Sequence, residues 1–437
     1  MTVCIATFTY YPVPGGIPNY CKHLAENLMA TGHRVVILTI DHTNNLTDDE
    51  LVKEKDYSRI TLNRSYKKYR DHYARYFRPG GYAAYDWIAA GMAMKDWLLQ
   101  NYSAFAIDII ETGDYGGLGI FLSDDRLPPL IVIGHSSIGQ LGLYNYIPGD
   151  EHGHFLLEFE KLSFQQADGI LAHSPMNQSA LATHTGRQVL FARAPWTYPS
   201  QPPVVSNNKI KKNIVTGGLQ MVKGVLLMME ATAMQAIKDP AFKLHWTGGD
   251  THTAPSGQRV SSFLAGQHPG IWDINFIWQD SLPHEKALEE IAAADLVFIP
   301  SVWDTFNYTA LEAAWFGKPL IMTETTGAGY LFTNDPGCKI ISAAAEAIAS
   351  AIPEQKELTE WSASIGTMGK KKLEDYFSPK SIIAERVTIY EKVVGQRQKH
   401  HSEAADSLRF LERYTNPARK FYYSLRAFAK RMVKPKL

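Results

Sequence analysis

Cysteine is scarce: the 437 residues hold three, Cys4, Cys21 and Cys338, widely separated and without a Cys-x-x-Cys pair. That excludes a disulfide scaffold and a cysteine zinc site, and it suits a reducing compartment. No uninterrupted apolar stretch reaches the roughly 18 residues that a membrane-spanning helix needs. The opening MTVCIATFTYYPVPGG has no basic n-region, and tyrosines and prolines break its apolar run, so it reads as a strand rather than a signal peptide. The expectation is a cytoplasmic protein. No Gly-Lys-Ser/Thr occurs and no Gly-x-Gly-x-x-Gly follows the first apolar run. A P-loop triphosphatase and a typical NAD enzyme are therefore disfavoured. Charge of one sign is also missing: 44 Lys+Arg stand against 44 Asp+Glu, which argues against a nucleic-acid partner.

What is present is apolar surface. Hydrophobic residues make up 45% and aromatics 11%, which excludes global disorder, and the length suits two or three domains. The run VCIATF (3–8) ends in the turn-rich YYPVPGGIPN, after which Ile17, Cys21, Leu24, Ala25 and Leu28 recur at helical spacing. Gly32 stops that helix and RVVILTI (34–40) reads as a second buried strand. Further apolar runs at 107–110, 130–133, 169–172 and 188–191 complete a parallel α/β layer over residues 1–195. Residues 196–212 are rich in Pro, Ser and Asn and read as a linker. A second alternating series follows over 213–375, with strands at 213–216, 242–247, 275–278, 295–299 and 319–322. Helices are expected near 223–237, 283–293 and 307–316. Residues 376–437 form a helical, increasingly basic end. The fold class is α/β, with two doubly wound Rossmann-like domains in tandem.

Ligands in such sheets bind beyond the carboxyl ends of the strands. Gly15 and Gly16, His135, Gly217 and Gly218, Gly248 and Gly249, and Asp304 all fall there, so several strands converge on one possible cleft. Each has a plainer reading. A glycine doublet makes turns, a lone histidine is often a bonded structural group, and carboxylates eight apart, as Asp304 and Glu312 are, occur frequently. Lys223 at a helix start opposes the dipole unless an anion is also present, which favours a bound phosphate. Glu151-His152-Gly153-His154 reads as a solvated loop rather than a metal site.

Taken together, AADLVFIPSVWDTFNYTALEAAWFGKPLI (293–321), PVPGGIPNYCKHLAENLMATGHRVVILT (12–39), EKLSFQQADGILAHS (160–174) and VTGGLQMVKG (215–224) resemble the retaining nucleotide-sugar glycosyltransferases of family 4 (glycosyl transferases group 1), which have the GT-B fold. The likeness covers residues 1 to about 392. It implies an N-terminal acceptor domain, a C-terminal donor domain and no cofactor or metal. It implies that Lys223 neutralises the leaving diphosphate, and that the chain at Thr305, Phe306, Asn307 and Tyr308 presents amides to its oxygens. Glu312 would hold the ribose hydroxyls, Asp304 the donor sugar, and His135 would stand beside the transferred sugar. Gly15, Gly16, Gly217 and Gly218 would let backbone approach the diphosphate. Two positions depart from the family pattern: Gly218 stands where Arg is usual, and Asp304 where Glu is usual. Losing one charge-assisted phosphate contact costs about 1.5–3 kcal/mol if nothing replaces it.

The implied activity is transfer of a hexose-type sugar from a UDP- or GDP-sugar to a glycan or lipid-linked acceptor, with retention. A non-catalytic sugar-nucleotide-binding homologue and a sugar-nucleotide epimerase remain as alternatives. Two segments concentrate positive charge. Residues 64–78 carry six basic residues, one acidic residue and five aromatics, and fit either a solvated helix face or an interfacial contact. Phe421, Leu425, Phe428 and Met432 place apolar groups along one side of a basic tail, 417–437, which reads as a helix for an anionic membrane surface or one docked on its own protein.

Overall fold

The computed structural model describes residues 1–41, 47–77, 84–147, 149–199, 213–365 and 368–397. The first sheet holds β1 (Thr2–Ala6), β2 (Arg34–Ile40), β3 (Glu50–Lys53), β4 (Tyr57–Leu62), β5 (Ile109–Gly113), β6 (Leu130–Ile133), β7 (Gly169–Ala172) and β8 (Leu190–Phe191). Their order is β3-β4-β2-β1-β5-β6-β7-β8, parallel throughout except where β3 runs against β4. The second sheet holds β9 (Asn213–Thr216), β10 (Leu244–Thr247), β11 (Phe276–Gln279), β12 (Leu296–Ile299), β13 (Leu320–Thr323) and β14 (Cys338–Ile341), all parallel, in the order β11-β10-β9-β12-β13-β14. Strand order reverses between β1 and β5 in one sheet and between β9 and β12 in the other. Those switch points are where open parallel sheets leave a crevice.

Central strands are continuous apolar runs because helices cover both their faces. Val3 to Ala6 and Leu130 to Ile133 are buried along their whole length. The helix Gly16–Ala30 buries Tyr20, Cys21, Leu24, Ala25 and Leu28, and Gly32 just past it takes φ +82°. There the amides of Gly32 and His33 donate to the Met29 and Leu28 carbonyls, closing the helix end.

The basic helix Arg64–Tyr73 lies against the helix Ala84–Asn101. Tyr66 is buried and donates to Asp86, Arg70 pairs with Asp86 at 2.6 Å, and Tyr69 bonds Asp96. Part of this segment is therefore structural packing, while Arg64, Lys68 and Arg75 remain exposed. The tail 417–437 and residues 200–212 lie outside the described residues.

One apolar core runs through both halves. Val3, Leu24 and Ile133 of the first sheet's layer share a cluster with Trp196, Ile299, Leu311, Trp315 and Phe377. Trp196 is fully buried and Tyr198 stacks on Trp315 at 4.5 Å between ring centres, so the start of the connecting segment is packed. The helix Pro379–Gln396 then returns to the first sheet. Arg193 clamps its start, donating to Glu385 (Nε to Oε2, 2.8 Å) and to the Tyr376 carbonyl (2.7 Å).

Candidate active site

Loops at the carboxyl ends of β9, β10 and β12 form one wall. Gly217, after β9, takes φ +154° and donates to the Thr247 carbonyl, and Gly248, after β10, lies so close that a Cβ there would sit 1.9 Å from the Gly217 oxygen. A short turn, Met221–Lys223, follows and ends on Gly224 at φ +78°, which starts the helix Val225–Lys238. Lys223 Nζ reaches Asp304 Oδ2 at 2.6 Å, and the same oxygen accepts from Asn307 Nδ2 at 2.8 Å. The anion expected beside Lys223 is thus supplied within the chain by Asp304, a group 81 residues away. At Gly218, where the family pattern has arginine, the space in which a side chain would begin is met by the Gln220 amide, 3.2 Å away.

The helix Tyr308–Trp315 begins here. Asn307 is its N-cap, its side-chain oxygen accepting from the Ala310 amide at 3.2 Å. Phe306 is buried in the common core, and Tyr308 donates its hydroxyl to the Pro195 carbonyl at 2.9 Å. Those two side chains hold the loop, which leaves backbone as their means of touching a ligand. Glu312 sits one turn along, buried, and burial pushes its carboxyl up to about 7. His284 lies 3.8 Å from it, and burial lowers that imidazole, with the charge of Lys22 adding to the effect. Around neutrality this contact is a neutral histidine beside a titrating acid rather than an ion pair.

The opposite wall comes from β5 and β6. The His135 amide donates to Asp114 Oδ1 at 2.9 Å, which sets the turn after β6. Asp114 is itself fully buried and its carboxyl is pushed up by desolvation. His135 is half-buried, and desolvation followed by the positive charge of Arg386 lowers its imidazole to about 3. It is therefore a neutral hydrogen-bonding group at any physiological pH. Tyr20 meets it edge-on, with ring centres 4.4 Å apart. Gly15 (φ +149°) caps the start of the same helix and Gly16 is its first residue, and nothing lies within 4 Å of where a Cβ on Gly16 would stand.

Side-chain and backbone hydrogen bonds join the two walls. Thr305 Oγ1 donates to the His135 carbonyl (3.2 Å), and Ser174 Oγ donates to the Thr305 carbonyl (2.7 Å). Asn145 accepts from the Val222 amide at 2.8 Å, beside Lys223. The structure thus joins Lys223, Asp304 and Asn307 in one cluster and brings Thr305 to His135. Glu312 lies one turn further along the helix that Asn307 caps, and Gly15 and Gly16 stand at the start of the helix that carries Tyr20. Sequence reading overlooked Ser174 and Tyr20, although both stand inside quoted motifs, and it overlooked Asn145 and His284, which carry no local signal. A lysine, a helix start, a buried carboxyl and a neutral imidazole together suit an anionic, hydroxyl-bearing ligand.

A family profile described as Glycosyltransferase Family 4 matches residues 14–189, and one described as Glycosyl transferases group 1 matches residues 211–354. No curated protein matches the sequence. Among solved structures, sucrose-phosphate synthase from Thermosynechococcus elongatus superposes with a TM-score of 0.66 at 18% identity, covering 91% of this chain and 100% of that one. The catalytic domain of starch synthase IV from Arabidopsis thaliana, bound to ADP and acarbose, gives 0.61 at 13% identity over 90% and 99%. An α,α-trehalose-phosphate synthase (UDP-forming) from Burkholderia vietnamiensis gives 0.59 at 12% identity over 90% and 100%. Identities this low speak for the fold alone, while the two profiles fall in order on the two facing sheets. The chain belongs to the group 1/family 4 glycosyltransferases of GT-B fold.

Proposed function

We propose that this glycosyltransferase moves a hexose-type sugar from a UDP- or GDP-sugar to a glycan or lipid-linked acceptor, with retention, in polysaccharide or glycoconjugate synthesis. The observation that carries the reading is the Lys223–Asp304–Asn307 cluster at the start of the helix bearing Glu312, facing His135. A departing nucleoside diphosphate gathers negative charge as the glycosidic bond breaks, and preorganised positive groups lower that barrier most. Lys223 and the backbone amides near Tyr308 supply them, so no metal is needed in this scheme. Asp304 receives a hydroxyl of the donor sugar once Lys223 engages phosphate. Glu312 accepts from the ribose, and neutral His135 gives a hydrogen bond at the reacting centre.

A thermal-shift series with UDP-, GDP- and ADP-sugars identifies the donor, since a ligand of the folded state raises apparent stability. Transfer then falls about tenfold to a hundredfold in Lys223→Ala and in Glu312→Ala, the loss expected for one charge-assisted contact. Full activity in both variants rejects the assignment.

Gly218 and its neighbour Gln220 favour one competing reading, a non-catalytic homologue that binds sugar nucleotides, because one diphosphate cation is missing. Donor binding with no turnover over a broad acceptor panel would establish it. No helix among the described residues is long and apolar enough to cross a membrane. Peripheral attachment to the inner face of the membrane through 417–437 is part of the proposal.

A further inference from the structure

Arg386 has no exposed surface. Burying a guanidinium is unfavourable unless its charge is paired and its donors are met, and an apolar side chain would fill the same space at less cost. Its partner is Glu111 on β5, itself 1% exposed, with Nη1 3.2 Å from Oε2. Glu111 is shared further: Tyr20 donates to Oε1 at 2.5 Å and Tyr390 to Oε2 at 2.5 Å. Two distant stretches of chain, the first helix and the returning one, thus meet on one carboxylate of β5. The guanidinium lies 5.9 Å from the centre of the Tyr20 ring, and that ring faces His135 edge-on at 4.4 Å and tilts over His173 at 5.0 Å. His173 is fixed in turn by a 2.9 Å bond between Nδ1 and the Ala192 carbonyl. The helix that carries Arg386 is held at its start by Arg193 and packs closely at its end, where Val393 comes within 3.0 Å of a Cβ built on Gly169.

We propose that Arg386 is a positioning residue for sugar transfer: from the helix that returns to the first sheet, it acts through Glu111 and Tyr20 to fix the His135 imidazole. The Tyr20 hydroxyl bond sets where its ring stands, and the ring is the wall against which His135 rests. The inference builds on the reading that His135 borders the transferred sugar.

The test compares Tyr20→Phe, Arg386→Met and the double variant Glu111→Gln/Arg386→Met, which leaves no unpaired charge in this buried cluster and so guards against failure to fold. Histidine side-chain NMR on selectively labelled protein, with His135 assigned through His135→Asn, reads the imidazole directly. Expected are a moved His135 resonance and, per UDP- or GDP-binding site, kcat lower by about tenfold to a hundredfold at unchanged donor KM, as for a misplaced reacting group. A purely structural role would reduce the number of binding sites and leave kcat per site alone. An unmoved His135 resonance in Tyr20→Phe and in the double variant overturns the proposal. Undiminished transfer in His135→Asn instead overturns the reading beneath it, while the resonance shift still decides the positioning.

Discussion

Burial acts on the acids and on the histidine of this cleft in opposite directions. Desolvation disfavours whichever form is charged, so Glu312 rises to about 7 while His135 falls to about 3. His135 is then a constant neutral group, and Glu312 is the group that titrates near neutrality. A ribose-binding role needs its ionised form. Affinity for UDP or GDP therefore increases as pH rises through about 7, and calorimetric titration between about pH 6 and pH 8 measures the step. In Glu312→Gln the step disappears and binding is weak at every pH. The linkage has a stability counterpart. A carboxyl raised in the folded state retains a proton that the unfolded chain releases, so its contribution is present below the usual carboxylate range. That contribution is lost as pH climbs through 7. Asp114 and Glu160, both pushed up by desolvation, add in the same direction. A ligand affinity independent of pH across that range would mean that Glu312 is not the ribose carboxylate.

Among elements, the turn between β9 and the helix Val225–Lys238 is the most constrained part of the site. Gly224 holds φ +78°, and a Cβ there would lie 1.7 Å from the Pro300 carbonyl oxygen. Both the conformation and the space require glycine. Gly224→Ala costs about 1–3 kcal/mol from backbone strain alone, and more from the displaced strand end. Thermal unfolding should show a lower midpoint, and donor binding should weaken as well, because Lys223 is the preceding residue. An unchanged midpoint would contradict the close approach of this turn to the loop after β12. The helix Arg64–Tyr73 shows a different economy. Tyr66, Tyr69 and Arg70 are committed to the neighbouring helix, while Arg64, Lys68 and Arg75 keep their charge at the surface.

For the molecule as a whole, a formal charge of zero conceals an uneven distribution. Residues 408–437 hold nine basic side chains against one acidic, and residues 64–78 hold six against one, so the rest of the chain is acidic by 13. In the proposed membrane attachment, the attraction to an anionic bilayer comes from the basic tail, with residues 64–78 the second concentration of positive charge. Removing residues 417–437 should abolish co-sedimentation with anionic liposomes and leave neutral liposomes unbound as before. Equal sedimentation of the truncated chain with anionic vesicles would disprove tail-mediated attachment. The fold's own unity rests elsewhere, on the shared core around Trp196 and Trp315 and on the returning helix.

The order of elements was readable from local pattern wherever burial is two-sided. Runs such as RVVILTI and LIVI become central parallel strands because nothing polar fits there, and apolar spacing plus Gly32 delimits the first helix. Strands escaped notice where burial is partial: β4 alternates buried and half-buried residues, β3 is a charged edge strand, and β14 keeps two exposed positions. The motif 293–321 by itself places Asp304, Asn307 and Glu312 on one loop and helix. Only the tertiary structure decided that Lys223 is held by Asp304, that Thr305 reaches His135, and that Arg386 pairs with Glu111 from 275 residues away. Helical and strand periodicity report which face of an element is buried. They carry no record of which distant polar groups meet once two sheets close on each other, and desolvation at that closure is what sets the chemistry of Glu312 and His135.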